Sequence, residues 1–237
     1  MFLRGYLSKH FCVHVGISRG EVIGDPAFQF RPEPVFFSDD AIKRVGISIR
    51  SMDEQCEPQY TDNDQCLNMI VKIANFISER FECDFYLFDM ARNIYDADQL
   101  AIDEIIPKLK GRGRCHVIPF SDGPGKSFST IAQTDCMISQ RLHPSIVAWA
   151  CGIPHVSLDF QNGKTEDFLS SIGMTEFGVR TDEFTMSGYR TAFNRLEREW
   201  AVVSLQASRS VDYWKKAQRL AIKRIFQFIK SKRTESD

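Results

Sequence analysis

The sequence predicts an α/β fold, a Rossmann-like parallel sheet of about five strands flanked by helices. Short apolar runs recur at residues 45–49, 85–88, 115–118, 136–138 and 156–158. Between them lie segments whose apolar residues keep the 3.6-residue spacing of a helix face. Glycine and proline punctuate the joints. Strands that alternate with helices in this way favour right-handed β-α-β units.

Residues 1–40 look unlike a domain of their own. A short helical pattern (Leu3, Tyr6, Leu7) leads through Gly16 to Glu21-Val22-Ile23 and then Gly24-Asp25-Pro26. The stretch RPEPVFFSDD reads as a linker with two prolines. The regular pattern begins at Arg44. A strand over Val45–Ile49 ends in Arg50, and a polar loop runs to Asp64. Leu67, Ile70, Val71, Ala74 and Ile77 then predict a helix. After the strand Phe85–Phe88, a second helix is expected over Asp96–Lys110, broken near Pro107. Cys115–Ile118 is the third strand and Ser127–Gln133 a short third helix. A last helix is expected over Ser208–Lys230, with Val211, Trp214, Ala217, Ala221, Ile225 and Phe228 as its stripe. The tail Ser231–Asp237 reads as disordered.

At 237 residues, with 43% hydrophobic and 26% charged residues, the composition is that of an ordinary globular protein. A net charge of −1 gives no reason to expect nucleic acid as a partner. Seven scattered cysteines without a CxxC pair suggest reduced thiols, not a disulfide frame or a zinc site. The N-terminus is interrupted by Arg, Lys and His, unlike a signal peptide, and no apolar run is long enough to span a bilayer. A cytoplasmic location is expected.

The stretch Thr134–Phe160 concentrates the chemistry. An apolar run (Cys136, Met137, Ile138) ends in Ser139-Gln140-Arg141, a helix pattern follows, Gly152 stops it and Val156–Leu158 opens another strand. Arg141 and His143 thus fall where a parallel strand hands over to a helix. Backbone N–H groups and the helix dipole favour anions there, and ligands of open α/β sheets collect outside the strands' carboxyl ends. A phosphate or carboxylate site is one reading. The other is a capped helix with Arg141 facing solvent. Arg50 ends a strand on the same rim, and two guanidinium forks suit phosphate and carboxylate.

Gly125-Lys126-Ser127 imitates a P-loop, but Phe120 stands where that motif needs glycine. Ser127 remains a phosphate candidate only through loop N–H groups before a helix. His116 and His155 lie within strands and read as structural. His10 and His14 share a helix spacing but lack a third ligand, so no metal is expected. The cations around Trp214 (215, 216, 219, 223, 224) read as a solvated face, with a peripheral membrane surface as the alternative.

The run D-x-x-I-S-x-R-L-H-P-S-I-V-A-W-A-C-G-I-P-H-V-S-L-D, followed by Lys164 and Asp167-Phe168-Leu169, resembles the polysaccharide pyruvyl transferases. Gly24-Asp25-Pro26-Ala27-Phe28 and Gly46-Ile47-Ser48-Ile49-Arg50 resemble the same family in the same order. The resemblance implies the carboxyl-terminal half of a two-domain, glycosyltransferase-B-like architecture. Residues 1–40 would then be the end of an N-terminal domain plus a linker, 41–175 the donor-binding domain and 176–237 a helical segment. It further implies transfer of a pyruvyl group from phosphoenolpyruvate to a sugar or lipid-linked glycan as a cyclic ketal, in exopolysaccharide or cell-surface glycan synthesis. No cofactor is implied beyond that donor. Carried over, the donor-binding residues are Arg50, Arg141, Leu142 and His143. His143 would be an acid–base group or a phosphate ligand. Lys164 stands displaced from the family's aromatic-Asp-Pro-Lys turn, at Leu158–Lys164. With its N-terminal half outside this chain, the protein reads as a fragment, a short relative, or a chain needing a partner domain or a second copy. A nucleotide-sugar transferase and a non-catalytic anion-binding domain are the alternatives.

Overall fold

The computed structural model describes residues 1–30, 42–50, 63–93, 96–111, 113–159, 163–180 and 184–234. The expected linker at 31–40, the polar loop after Arg50 and the Phe160-Gln161-Asn162 turn lie outside them. Six strands form one parallel sheet: β1 (Arg44–Ser48), β2 (Asp84–Phe88), β3 (Cys115–Ile118), β4 (Cys136–Ser139), β5 (His155–Asp159) and β6 (Gly178–Arg180). Their spatial order is β6-β5-β4-β1-β2-β3, all neighbours parallel. The chain runs outward from β1 through β2 to β3, returns to the other side of β1 at β4, and continues to β6. That reversal is the switch point of a doubly wound sheet. β6, three residues long, is one strand more than the sequence predicts.

The helices are α1 (Tyr6–His14), α2 (Asn63–Arg80), α3 (Asp98–Ile105), α4 (Gly123–Ile131), α5 (Leu142–Ala150), α6 (Lys164–Ile172) and α7 (Met186–Thr234). A 3-10 turn at Ile106–Lys108 carries Pro107, so the expected break near that proline is present. Both faces of the central strands are covered, as a parallel sheet requires. Cys136 and Ile138 point into the main core with Val45 and Ile47, while Met137 packs with Phe88, Val147 and Ala148 in a second cluster. Gly46 admits that sulfur: a Cβ there would stand 2.4 Å from Met137 Sδ.

The pairing of β1 with β4 is pinned at both ends. Asp135 Oδ2 accepts the N–H groups of Lys43 (3.0 Å) and Arg44 (2.8 Å), and its other oxygen pairs with the Arg44 guanidinium. At the carboxyl end Gln140 N–H donates to Ser48 O (2.9 Å), and Arg50 N–H donates to Gln140 Oε1 (3.2 Å). α5 ends as its sequence demands. Gly152 sits at φ 72°, its N–H donates to Trp149 O, and Ile153 N–H donates to Ala148 O. This is a Schellman closure, which glycine makes cheap.

Two expected helices are corrected. The third begins at Gly123, not Ser127, because Pro124 suits a first turn and the glycines on either side do not prevent it. The last begins at Met186 and runs to Thr234, 49 residues or roughly 74 Å at 1.5 Å per residue. Tyr189, Phe193, Leu196, Val203, Ala207, Val211, Trp214, Gln218 and Ala221 form one buried stripe along it at helical spacing. Its side chains also satisfy the open end of α6. Trp214 Nε1, Ser210 Oγ and Gln206 Nε2 donate to the carbonyls of Ser171 (2.9 Å), Ile172 (3.2 Å) and Gly173 (3.1 Å).

Residues 1–30 pack into the same core. Phe28 is fully buried, 5.9 Å from the Phe168 ring, and Asp167 of α6 accepts Leu7 N–H at the start of α1 (2.8 Å). Gln218 Nε2 on α7 donates to Asp25 O (2.8 Å). Phe28→Ala should therefore cost about 3–5 kcal/mol in urea unfolding. A change below 1 kcal/mol would show that this segment is appended to the fold and not part of it.

Candidate functional site

The carboxyl rim at the switch point collects most of the expected residues. Ser48 of β1 is in register with Ser139 of β4. Arg50 and Arg141 each lie two residues further on, so both stand on the same rim, beside each other across the β1–β4 pair. Arg141 is also the residue immediately before α5. The first N–H groups of that helix have no intrahelical partner, and its dipole points its positive end at the rim. Pro144 at the third position removes a donor that the first turn does not use.

Arg141 does not face solvent. Its Nε donates to Asp98 Oδ2 (3.0 Å) and its Nη2 to Asp98 Oδ1, a two-pronged pair with a fully buried carboxylate. Asp98 opens α3, and its Oδ2 also accepts Met90 N–H (3.0 Å). The pair thus ties the segment leaving β2 to the turn after β4. Asp98 was not a sequence candidate, because nothing in a first-turn aspartate tells a helix cap from the partner of an arginine 43 positions away. The pairing aligns the guanidinium plane, and its charge is largely balanced there.

His143, in the first turn of α5, is exposed and makes no hydrogen bond among the described residues. A ligand on this rim can reach it. Leu142 is half-buried and its side chain packs on the main core, so what it offers the rim is a backbone N–H. Lys164 begins α6 after Gly163 at φ 72° and is exposed. It follows β5, next to β4, so it stands on the same rim one strand further out. Ser127 is a correction. It lies one turn inside α4, buried, with its Oγ donating to Gly123 O (3.3 Å), and no loop cradles an anion there. α4 follows β3, which β2 separates from β1.

Gln140 belongs to the polar turn Ser139-Gln140-Arg141 but was not a site candidate. It is 6% exposed, its Oε1 is held by Arg50 N–H, and its Nε2 has no partner among the described residues. Beneath it, Ser48, Ser139 and Ser157 stand in register across β1, β4 and β5, all fully buried. The hydroxyls of Ser48 and Ser157 also lack partners among the described residues. Leaving a buried polar group unsatisfied costs about 1–3 kcal/mol, so such a cluster points to a site that is completed by a ligand or by water. Asp89, buried at the end of β2, accepts Phe120 N–H (3.3 Å) and adds a carboxylate to the rim.

His155 supports the rim from below, as its place within a strand suggested. It is fully buried, with Nδ1 3.1 Å from Met137 O and Nε2 2.9 Å from Ser145 Oγ. The carbonyl can only accept, so Nδ1 carries the proton, and the one Ser145 hydroxyl proton is shared between His155 Nε2 and Arg141 O (3.1 Å). Burial lowers its pKa to about 4. Burial also pushes the Cys136 thiol up to about 12, which leaves it no nucleophile at neutral pH. Among the described residues no three His, Cys, Asp or Glu side chains could hold a metal ion together.

The family model for polysaccharide pyruvyl transferase matches residues 1–162, a span that holds every residue of this rim except Lys164. The chain belongs to the polysaccharide pyruvyl transferase family. No curated protein matches it. Among solved structures, spinosyn rhamnosyltransferase SpnG complexed with spinosyn aglycone is similar at TM-score 0.46 and 13% identity, over 90% of this chain and 61% of that one. The glycotransferase of kitacinnamycin is similar at TM-score 0.40 and 14% identity, over 86% of this chain and 49% of that one. SnogD from Streptomyces nogalater is similar at 0.37 and 10%, over 90% and 59%. The chain thus spans about 60% of the length of the first of these, and likenesses this distant say nothing of donor or acceptor.

Two outcomes follow from the geometry of this pyruvyl transferase family member. Asp98→Ala would strand the Arg141 guanidinium and should cost about 3–5 kcal/mol by urea unfolding; a loss under 1 kcal/mol would mean the pair is not formed in solution. The unfolded His155 imidazole binds its proton near pH 6.5 and the folded one only near 4. The unfolded state therefore holds more protons in between, and stability should fall by up to about 3 kcal/mol as pH drops from 6.5 to 4. His155→Gln should lack that part of the fall, read as the difference between the two proteins' unfolding free energies across the window.

Proposed function

We propose that the switch-point rim binds phosphoenolpyruvate and that the protein takes part in pyruvyl transfer to a sugar of a glycan. The observation that carries this reading is that Arg50 and Arg141 share one rim across the β1–β4 pair, with Gln140, which accepts Arg50 N–H and whose Nε2 has no partner among the described residues, beside them. Phosphoenolpyruvate presents a phosphate and a carboxylate on one small carbon frame, and guanidinium forks and helix N–H groups match both. Family membership supports the same donor.

In the reaction the enolpyruvyl methylene gains a proton and the adjacent carbon becomes oxocarbenium-like. One sugar hydroxyl adds there and releases its proton, so the first step balances. A second hydroxyl then displaces inorganic phosphate, which leaves with that hydroxyl's proton, and the cyclic ketal closes. His143, exposed beside the arginines, is placed to pass the proton between hydroxyl and methylene. Arg141, oriented by Asp98, steadies the donor's anionic groups as charge develops. Lys164 stands further out, where an acceptor's own anionic groups would approach.

The rim of a nucleotide-sugar transferase would also offer N–H groups to phosphates, so donor binding separates the readings. Titration calorimetry should show phosphoenolpyruvate bound and UDP-sugars ignored; the reverse would assign the rim to a nucleotide-sugar donor. Arg50→Ala should weaken phosphoenolpyruvate about 10- to 100-fold, the worth of one charge-assisted contact. Arg141→Lys keeps the charge but loses the fork toward both Asp98 and donor, and should weaken binding by at least about tenfold. Unchanged affinity in both variants would sink the assignment.

A further inference from the structure

The chain is close to neutral as a whole, but its charges are sorted. Residues 1–20 and 213–234 contain no Asp or Glu. Together they hold 11 of the 30 Lys and Arg, which leaves 19 cations against all 31 carboxylates elsewhere. The two stretches meet in space. The Tyr6 ring stands edge-on to Trp214 at 6.0 Å, and the Arg224 guanidinium pairs with Glu21, just past α1, at 2.5 Å.

The same surface is apolar. The stripe of α7 that is buried as far as Ala221 continues through Ile222, Ile225, Phe228 and Ile229, which are exposed among the described residues. Phe228 is 64% exposed and Phe226, on the flank, 61%. Lys216, Arg219, Lys223 and Lys230 follow one another at helical spacing along the opposite side. On α1, Phe11 is 65% exposed, and Val13, Val15 and Ile17 beyond it are also bare. No helix here is long and apolar enough to cross a membrane among the described residues.

We propose that the distal half of α7, together with α1, docks on an anionic lipid bilayer, with the helix lying in the interface plane. A basic amphipathic helix with exposed phenylalanines has the chemistry for this: apolar side chains enter the acyl boundary while lysines meet lipid phosphates. Charge argues against the obvious competitor. A second copy on this face would bring one cation-rich surface, with Glu21 as its paired carboxylate, against another, and protein interfaces are depleted in lysine where this surface is rich in it. The occupant must be anionic and must accept phenylalanine. A bilayer of acidic lipid is both. The proposal does not depend on the identity of the donor.

The test is co-flotation of the full chain with vesicles of phosphatidylcholine alone or with about a third phosphatidylglycerol. Binding to the anionic vesicles should be at least tenfold stronger and should weaken as salt rises through the physiological range. Phe226→Ser with Phe228→Ser should reduce it by tenfold or more. Lys216→Glu with Lys223→Glu, which leaves the apolar stripe untouched, should do the same, and circular dichroism shows whether each variant is folded. Neither pair should alter phosphoenolpyruvate affinity. Equal partition on neutral and anionic vesicles would overturn the proposal, as would no binding to either. A dimer in sedimentation equilibrium that the Phe226→Ser and Phe228→Ser changes dissociate, with vesicle binding unaffected, would also overturn it by assigning the face to a second copy.

Discussion

A fully buried carboxylate must have a cation, and in this fold that requirement joins two turns that are distant in sequence. Asp98 lies at the head of α3 with no exposure to water, and Arg141 meets it with two nitrogens. Burying either group without the other would cost several kcal/mol, a large share of a domain's total stability. The pair therefore acts as a latch between the segment leaving β2 and the turn after β4. Between those strands lies β1, so the latch spans the switch point. It keeps the start of α5 and the end of β1 in one fixed relation, on which any ligand at Arg50 and His143 depends.

The long helix does for the opposite side of the body what the latch does for the rim. α7 lays one apolar stripe along α2, α5 and α6, and closes the end of α6 with three side-chain donors in succession. A terminal element that only covered hydrophobic area could slide, because burial is not directional. Hydrogen bonds to three consecutive carbonyls allow one register. The same helix reaches Asp25 and Glu21, so the first thirty residues are held by the last fifty.

What the sequence made legible was whatever is written in a local period. The apolar runs at 45–49 and 136–138, each followed within three residues by an arginine, place Arg50 and Arg141 on one rim as soon as the strands are taken as parallel. Gly152 marked the end of α5 because only a left-handed residue makes that closure easily. Long-range choices were not legible. Asp98 became a partner of Arg141 through the strand order, and Gln140 became buried with its Oε1 turned to Arg50 N–H and its Nε2 left without a partner among the described residues. β6 is three residues long, too short to show a period. Ser127 was misplaced because Gly-Pro-Gly reads as a loop, although glycine and proline are tolerated in a first turn. The early part of α7 carries the same signal: Tyr189, Phe193, Leu196 and Val203 continue the Trp214 stripe at helical spacing.

The electrostatics of the rim decide what kind of anion it could prefer. Two arginines and an exposed lysine stand near two buried carboxylates, Asp89 and Asp98, so little net positive field is left to attract phosphate as such. A site built on bare charge would bind any polyanion and release it as salt rises. Here attraction must come from directed donors: the fork that Asp98 holds in plane, the N–H groups opening α5 and the amide of Gln140. Directed donors reward an anion whose oxygens sit where the donors point and give little to one whose oxygens do not. A buried carboxylate beside the site sharpens that choice, because a misplaced anion meets repulsion without compensating bonds. For the proposed donor, the rim's selectivity would then rest on the spacing between phosphate and carboxylate more than on total charge.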